Sequence, residues 1–139
     1  MSFKLDDRLN KDCSLVADLG LSQLLLMDDA NYPWLILVPR VDNISEMYEL
    51  TPEHQQTLWT ETAYISKLMK SLFNPTKINI GALGNIVRQL HVHIIARNED
   101  DVAWPGPVWG AQPAKPYDAN ERRDLIKQIT SSLQTPIST

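Results

Sequence analysis

The chain has 139 residues, 43% of them apolar, with a net charge of −4, enough for one domain that buries about two thirds of its unfolded surface. No run of basic residues is present, which argues against general nucleic-acid binding, since that needs a cationic face to displace counterions from phosphates. One cysteine, Cys13, excludes an intramolecular disulfide and reads as structural rather than nucleophilic; with no apolar stretch near 18 residues and no basic-then-apolar start, the expectation is a cytoplasmic protein without a membrane partner.

Leu5, Leu9 and Leu15 suggest a short first helix that breaks near Gly20 and serves as a packing arm. The apolar runs 24–27 and 35–38 flank the turn-rich segment Asp28-Asp29-Ala30-Asn31-Tyr32-Pro33 and suit a hairpin of two well-buried strands. Thr51-Pro52 supplies an N-cap and a proline at the first helical position, and Leu58, Ile65, Leu68, Met69 and Leu72 recur at helical spacing until Asn74-Pro75. Residues 77–80 and 89–96 read as two further strands, with Gly81 and Gly84 permitting tight conformations between them. Asp118 and Glu121 form a capping-box pattern for a last helix over about 118–134. Short connections between sequential strands favour an antiparallel sheet, so the fold class is α+β, and no linker or repeat divides the single domain of residues 1–139.

The most informative segment is Arg88-Gln89-Leu90-His91-Val92-His93-Ile94-Ile95-Ala96-Arg97. On a strand, Gln89, His91 and His93 project from one face, while Leu90, Val92 and Ile94 point into a core. Two histidines two residues apart could also begin a metal site, but without a nearby cysteine or third histidine they make a poor one, so no metal or cofactor is called for. A neutral imidazole is a good nucleophile near pH 7, because its reference pKa of about 6.5 leaves a lone pair free.

Gln89-Leu90-His91-Val92-His93-Ile94-Ile95 resembles the signature of the histidine-triad superfamily, His-φ-His-φ-His-φ-φ with φ apolar, with glutamine in the first place. Asn79-Ile80-Gly81-Ala82-Leu83-Gly84-Asn85 is similar to the family's glycine-containing loop, and Trp34-Leu35-Ile36-Leu37-Val38-Pro39-Arg40 to its strand ending in Val/Ile-Pro-Lys/Arg. The resemblance covers about residues 20–110. It implies an antiparallel sheet of about five strands with one long helix and terminal helices, commonly paired as a homodimer. It also implies a small-molecule nucleotide substrate and a hydrolase or nucleotidyl transferase, cleaving a phosphoanhydride or phosphoramidate bond through a nucleotidyl-His91 intermediate.

By the same resemblance His91 is the nucleophile, oriented by the main-chain carbonyl of Gln89. His93, about 7 Å further along the face, stabilises charge or donates a proton. Backbone N–H groups near Gly84 and Asn85, with the amides of Asn85 or Gln89, would stabilise phosphoryl charge, each donor contributing about 2–4 kcal/mol at the transition state. Asp28 and Asp29 resemble the acidic residue that accepts from the ribose diol, with Asp28 ranked first, although Asp is also a favoured turn residue. Asn79 is a candidate for phosphate or ribose contact, or an ordinary polar strand position.

Three positions depart from the family pattern: Gln89, which cannot titrate; Trp34, where many members carry histidine and which is still counted among the nucleotide- or phosphate-binding candidates; and Ile86, where members often carry serine or threonine. The rival reading is a nucleotide-binding or sensing module with little turnover, as loss of the first histidine would allow. Trp104-Pro105-Gly106-Pro107-Val108-Trp109-Gly110 reads as a folded loop that closes over the pocket, packs on a partner subunit or simply fills core. Arg88 and Arg97 flank the motif, where arginines either meet phosphate or are solvated.

Overall fold

The computed structural model describes residues 3–133. Its elements in chain order are α1 (Asp7–Asp12), β1 (Cys13–Asp18), β2 (Ser22–Met27), β3 (Trp34–Pro39), a 3-10 turn (Met47–Glu49), α2 (Pro52–Phe73), β4 (Lys77–Gly81), β5 (Val92–Arg97) and α3 (Ala119–Ser132). The five strands form one antiparallel sheet in the order β1-β2-β3-β5-β4. The α+β class and the five-strand sheet implied by the sequence are therefore present.

The continuous apolar runs of β2 and β3 follow from burial on both faces of the sheet. Leu24, Leu26, Leu35 and Leu37 pack on one side with Leu58, Ile65 and Met69 of α2 and Ile129 of α3. Leu25, Trp34, Ile36 and Val38 face the other side, where Leu9, Tyr32 and Val108 cover them. Leu58, Ile65 and Met69 are 0% exposed, and burial of each such side chain contributes about 1.5–3 kcal/mol. The same alternation splits β5: Val92, Ile94 and Ala96 join the helix side and Ile95 the opposite side.

Helix α2 begins and ends as its sequence dictates. Thr51 Oγ1 accepts from the His54 N–H at 3.1 Å, Pro52 occupies the first turn, and Asn74 closes the helix in the left-handed conformation at φ 46°. Glu61 is 2% exposed on the buried face, where its Oε2 accepts from the Leu21 N–H at 2.8 Å and ties α2 to the β1–β2 turn.

The structure differs from the sequence reading at several points. The first helix is only Asp7–Asp12, and Leu15 lies on β1 at 55% exposure. A register shift between Leu15 and Ala17 breaks the alternation that would have marked β1 as a strand. The strand expected at 89–96 starts at Val92, because the Leu90 N–H leaves the ladder and donates to Ile44 O at 2.9 Å. Asp118 caps α3 alone, accepting from the Asn120 N–H at 3.4 Å, without a reciprocal bond from Glu121. The last residue of the expected helix, 134, lies outside the described residues.

Candidate active site

On the sheet face opposite α2 lies a cavity of about 380 Å³, bounded by β3, β5, the 83–87 loop, the 108–114 segment and the N-terminal arm. His91 precedes β5 by one residue and His93 lies within it, paired with Ile36 on one side and Gly81 on the other. Both histidines line the cavity, 6% and 7% exposed, with ring centroids 4.8 Å apart.

His91 Nδ1 stands 2.7 Å from the main-chain carbonyl oxygen of Gln89. A carbonyl oxygen can only accept, so Nδ1 carries a proton, and in the neutral ring Nε2 keeps the lone pair. Around His93 the logic is reversed. The Trp34 indole N–H can only donate, and it lies 3.0 Å from His93 Nδ1, so that nitrogen is the acceptor and the ring proton sits on Nε2. When both rings are neutral their hydrogen-bond partners select opposite tautomers, one with a lone pair on Nε2 and the other with an N–H on Nε2. Burial, and then the neighbouring His91, push the His93 pKa down to about 3.

Trp109 completes this cluster, with its ring 5.3 Å from His93 and 6.4 Å from Trp34. The loop from 104 to 110 thereby closes one side of the cavity through Val108, Trp109 and Gly110. Trp104 is turned elsewhere, its ring 5.8 Å from the Arg97 guanidinium carbon. Gly81 allows Trp109 its place: a Cβ there would meet Trp109 Cη2 at 3.0 Å. Gly84 adopts φ +72°, a conformation side chains disfavour, and with Asn85 and Ile86 it forms the rim of the cavity.

Of the residues singled out from sequence, His91, His93, Trp34, Gly84 and Asn85 are brought together around this space. Three are not. The Gln89 side chain faces the arm, with Oε1 accepting from the Asp6 N–H at 2.8 Å and Nε2 donating to Lys4 O at 3.0 Å. Asn79 Oδ1 accepts from Arg97 Nη1 at 2.8 Å, on the edge strand away from the cavity. Asp28 Oδ1 accepts from the Tyr117 N–H at 2.9 Å and is not at the cavity, whereas Asp29, ranked second, lines it at 3% exposure. Asp29 Oδ1 accepts from the Asn31 N–H at 3.0 Å and the Lys115 N–H at 3.3 Å. Arg97 neither meets the cavity nor is solvated: it is 1% exposed and bidentate to Asp101.

Arg8, Leu9, Asp12 and Cys13 also line the cavity, and sequence reasoning missed them in this role. Their signal was only the amphipathic start of the chain, which gives no hint of what the arm packs on. Burial, with Asp12 and Asp28 adding to it, pushes the Cys13 thiol up to about 12, which keeps it protonated and a poor nucleophile. Among the described residues no three His, Cys, Asp or Glu side chains are grouped to hold a metal ion, and no helix is long and apolar enough to cross a membrane.

The HIT domain model matches residues 8–100. The chain belongs to the HIT family. Its fold and much of its sequence are shared with a histidine triad protein of Sinorhizobium meliloti (50% identity, TM-score 0.92, covering 94% of this chain and 97% of that one). A histidine triad protein of Bradyrhizobium japonicum is similarly close, at 43% identity and TM-score 0.93, covering 96% and 99%. At 17% identity and TM-score 0.64, covering 98% and 83%, the diadenosine triphosphate hydrolase of Plasmodium falciparum shares the HIT fold. No protein of curated description matches the sequence.

Proposed function

We propose that this HIT protein binds a nucleoside phosphate and transfers its nucleotidyl group to His91. The observation that carries the reading is the 2.7 Å bond between His91 Nδ1 and the Gln89 carbonyl, which in the neutral ring leaves the lone pair on Nε2 beside a cavity of nucleotide dimensions. Gln89 serves His91 through its main-chain carbonyl, an acceptor that any residue at this position supplies.

In the first step the Nε2 lone pair of His91 attacks phosphorus, an N–P bond forms, and the bond to the leaving group breaks with its electron pair. The leaving group takes a proton from solvent, and the imidazole keeps its Nδ1 proton against the Gln89 carbonyl. Water, or another acceptor, then attacks the same phosphorus; the N–P bond breaks, its pair returns to Nε2, and the attacking water loses a proton. His93 offers its Nε2–H to a non-bridging phosphoryl oxygen as a neutral, pre-oriented donor, since a protonated ring would have to give up the bond from Trp34. Asp29 is the acceptor for the ribose hydroxyls, and Trp109 with Leu9 and Ile36 forms the apolar wall for a base.

The rival reading, a binding module with little turnover, draws on glutamine at position 89, which cannot titrate and so cannot act as a general acid for the leaving group. The two readings part at the covalent intermediate. Purified protein is incubated with adenosine and guanosine phosphoramidates and dinucleoside polyphosphates beside a His91→Ala control. Nucleoside monophosphate release and a quenched adduct of one nucleotidyl group, both absent from the control, support the enzyme. Binding without release or adduct leaves the module.

A further inference from the structure

We propose that the N-terminal arm is a substrate-binding wall latched in place by Gln89, and that Arg8 on this arm recognises a negatively charged phosphate beyond the bond that is broken. This rests on the nucleotide reading of the cavity and extends it to the class of leaving group.

The arm is joined to the rest of the domain by long-range contacts. Gln89 uses both ends of its amide on arm backbone, accepting from the Asp6 N–H and donating to Lys4 O. Leu9 is 5% exposed in the core layer that contains Trp34 and Ile36, with Phe3 and Leu5 packed against that layer. Asp12 O accepts from the Asp28 N–H at 3.0 Å at the far end of the arm. Between these attachments Arg8 and Asp12 reach the rim of the cavity.

The charge of the lining makes Arg8 distinctive. It is the one lysine or arginine among the described lining residues, and it stands with two carboxylates, Asp12 and Asp29. A second phosphate near those carboxylates would be repelled unless a cation met it. Arg8 is available for this: its side chain is 61% exposed and, among the described residues, is held only by a 3.9 Å contact to Asp12 that exposed geometry makes weak. A guanidinium recognises phosphate through paired donors. The Gln89 latch thus couples the loop that orients His91 to the segment that carries the cation, since the Gln89 carbonyl faces His91 Nδ1 while its side chain holds the arm.

The test measures AMP and ADP binding by calorimetry in a His91→Ala background, which bars turnover. Arg8→Gln is expected to weaken ADP about tenfold and to change AMP less than about twofold, a charge-assisted hydrogen bond being lost only for the second phosphate. Gln89→Leu should speed amide exchange at Asp6, lower ADP affinity similarly, and add little to Arg8→Gln in the double variant. If Gln89→Leu does not fold, Gln89→Glu, which keeps the acceptor and loses the donor, gives an intermediate effect. An Arg8→Gln variant that binds ADP as tightly as before, or loses both nucleotides equally, overturns the assignment of Arg8. Absence of binding by either nucleotide to Arg8-containing protein instead overturns the nucleotide reading itself.

Discussion

Trp34 fixes the tautomer of His93: an indole N–H, which can only donate, meets His93 Nδ1 at 3.0 Å in a buried cluster. Replacing Trp34 by phenylalanine keeps an aromatic body but removes the donor, leaving a buried acceptor unpaired at a cost of about 1–3 kcal/mol. Both tautomers of His93 then become accessible, and the Nε2–H proposed to meet a phosphoryl oxygen is no longer imposed. The expected result is a fall in kcat of about tenfold with a smaller change in KM. Imidazole nitrogen chemical shifts read the tautomer directly; an unchanged His93 tautomer in Trp34→Phe would refute the coupling.

The same burial gives a pH dependence of stability. His93 has its pKa lowered to about 3, so between that value and the unfolded value near 6.5 the unfolded chain binds a proton that the native one does not. Stability is therefore complete above about pH 6.5 and falls as pH drops toward 3. From pH 7 to pH 5 this group alone should remove about 2 kcal/mol. Asp101 acts in a lower window: burial would raise its pKa, but the Arg97 hydrogen bond and neighbouring backbone N–H groups outweigh it and hold the carboxyl below its usual range. Its contribution is lost only as pH falls through that depressed value. Urea unfolding at pH 7 and pH 5 separates the two, and His93→Asn should flatten most of the difference.

Much of the framework could be read from residue order alone. Leu24 to Met27, Leu35 to Val38 and the Thr51-to-Asn74 helix declared themselves through apolar runs and caps, which are local signals. Leu90, Val92 and Ile94 also alternate with His91 and His93 as expected, which placed both imidazoles at the cavity. What escaped was set by long-range contacts. β1 was hidden by its register shift, and Gln89 looked like a site amide because its partners, Lys4 and Asp6, lie more than 80 residues away. The choice between Asp28 and Asp29 turns on one residue of register in a turn, which periodicity does not resolve.

Arg97 should prove to be a structural residue. Its guanidinium is bidentate to Asp101 at 2.8 and 3.0 Å, donates to Asn79 Oδ1, and lies 5.5 Å from the Tyr32 ring centroid. Asp101 in turn accepts from the Ala103 and Trp104 N–H groups, so the pair holds the start of the loop that delivers Trp109. Arg97→Met strands a carboxylate that is 8% exposed, at an expected cost of about 3–5 kcal/mol in urea unfolding. Adding Asp101→Asn should recover part of that loss. A cost below about 1 kcal/mol would mean the ion pair is dispensable.

Asp29 and Asp28 can be told apart by what each carboxylate holds. Among the described residues both hydrogen bonds to the Asp29 carboxylate fall on Oδ1, so a ribose hydroxyl can approach the other oxygen from the cavity side. Asp28 is instead engaged by the Tyr117 N–H, which anchors the segment leading into α3. A substrate lacking the 2′-hydroxyl should bind less well to unsubstituted protein, because a buried carboxylate oxygen would lose its donor. In Asp29→Asn the ratio of kcat/KM for ribose and 2′-deoxyribose substrates should collapse toward one, since the amide no longer offers a charged acceptor. Asp28→Asn should leave that ratio intact while lowering the melting temperature by a few degrees, consistent with about 1 kcal/mol for one lost charged acceptor. The reverse pattern, with discrimination lost in Asp28→Asn and kept in Asp29→Asn, would return the ribose contact to Asp28 and require the 28–33 turn to reorganise around the bound nucleotide.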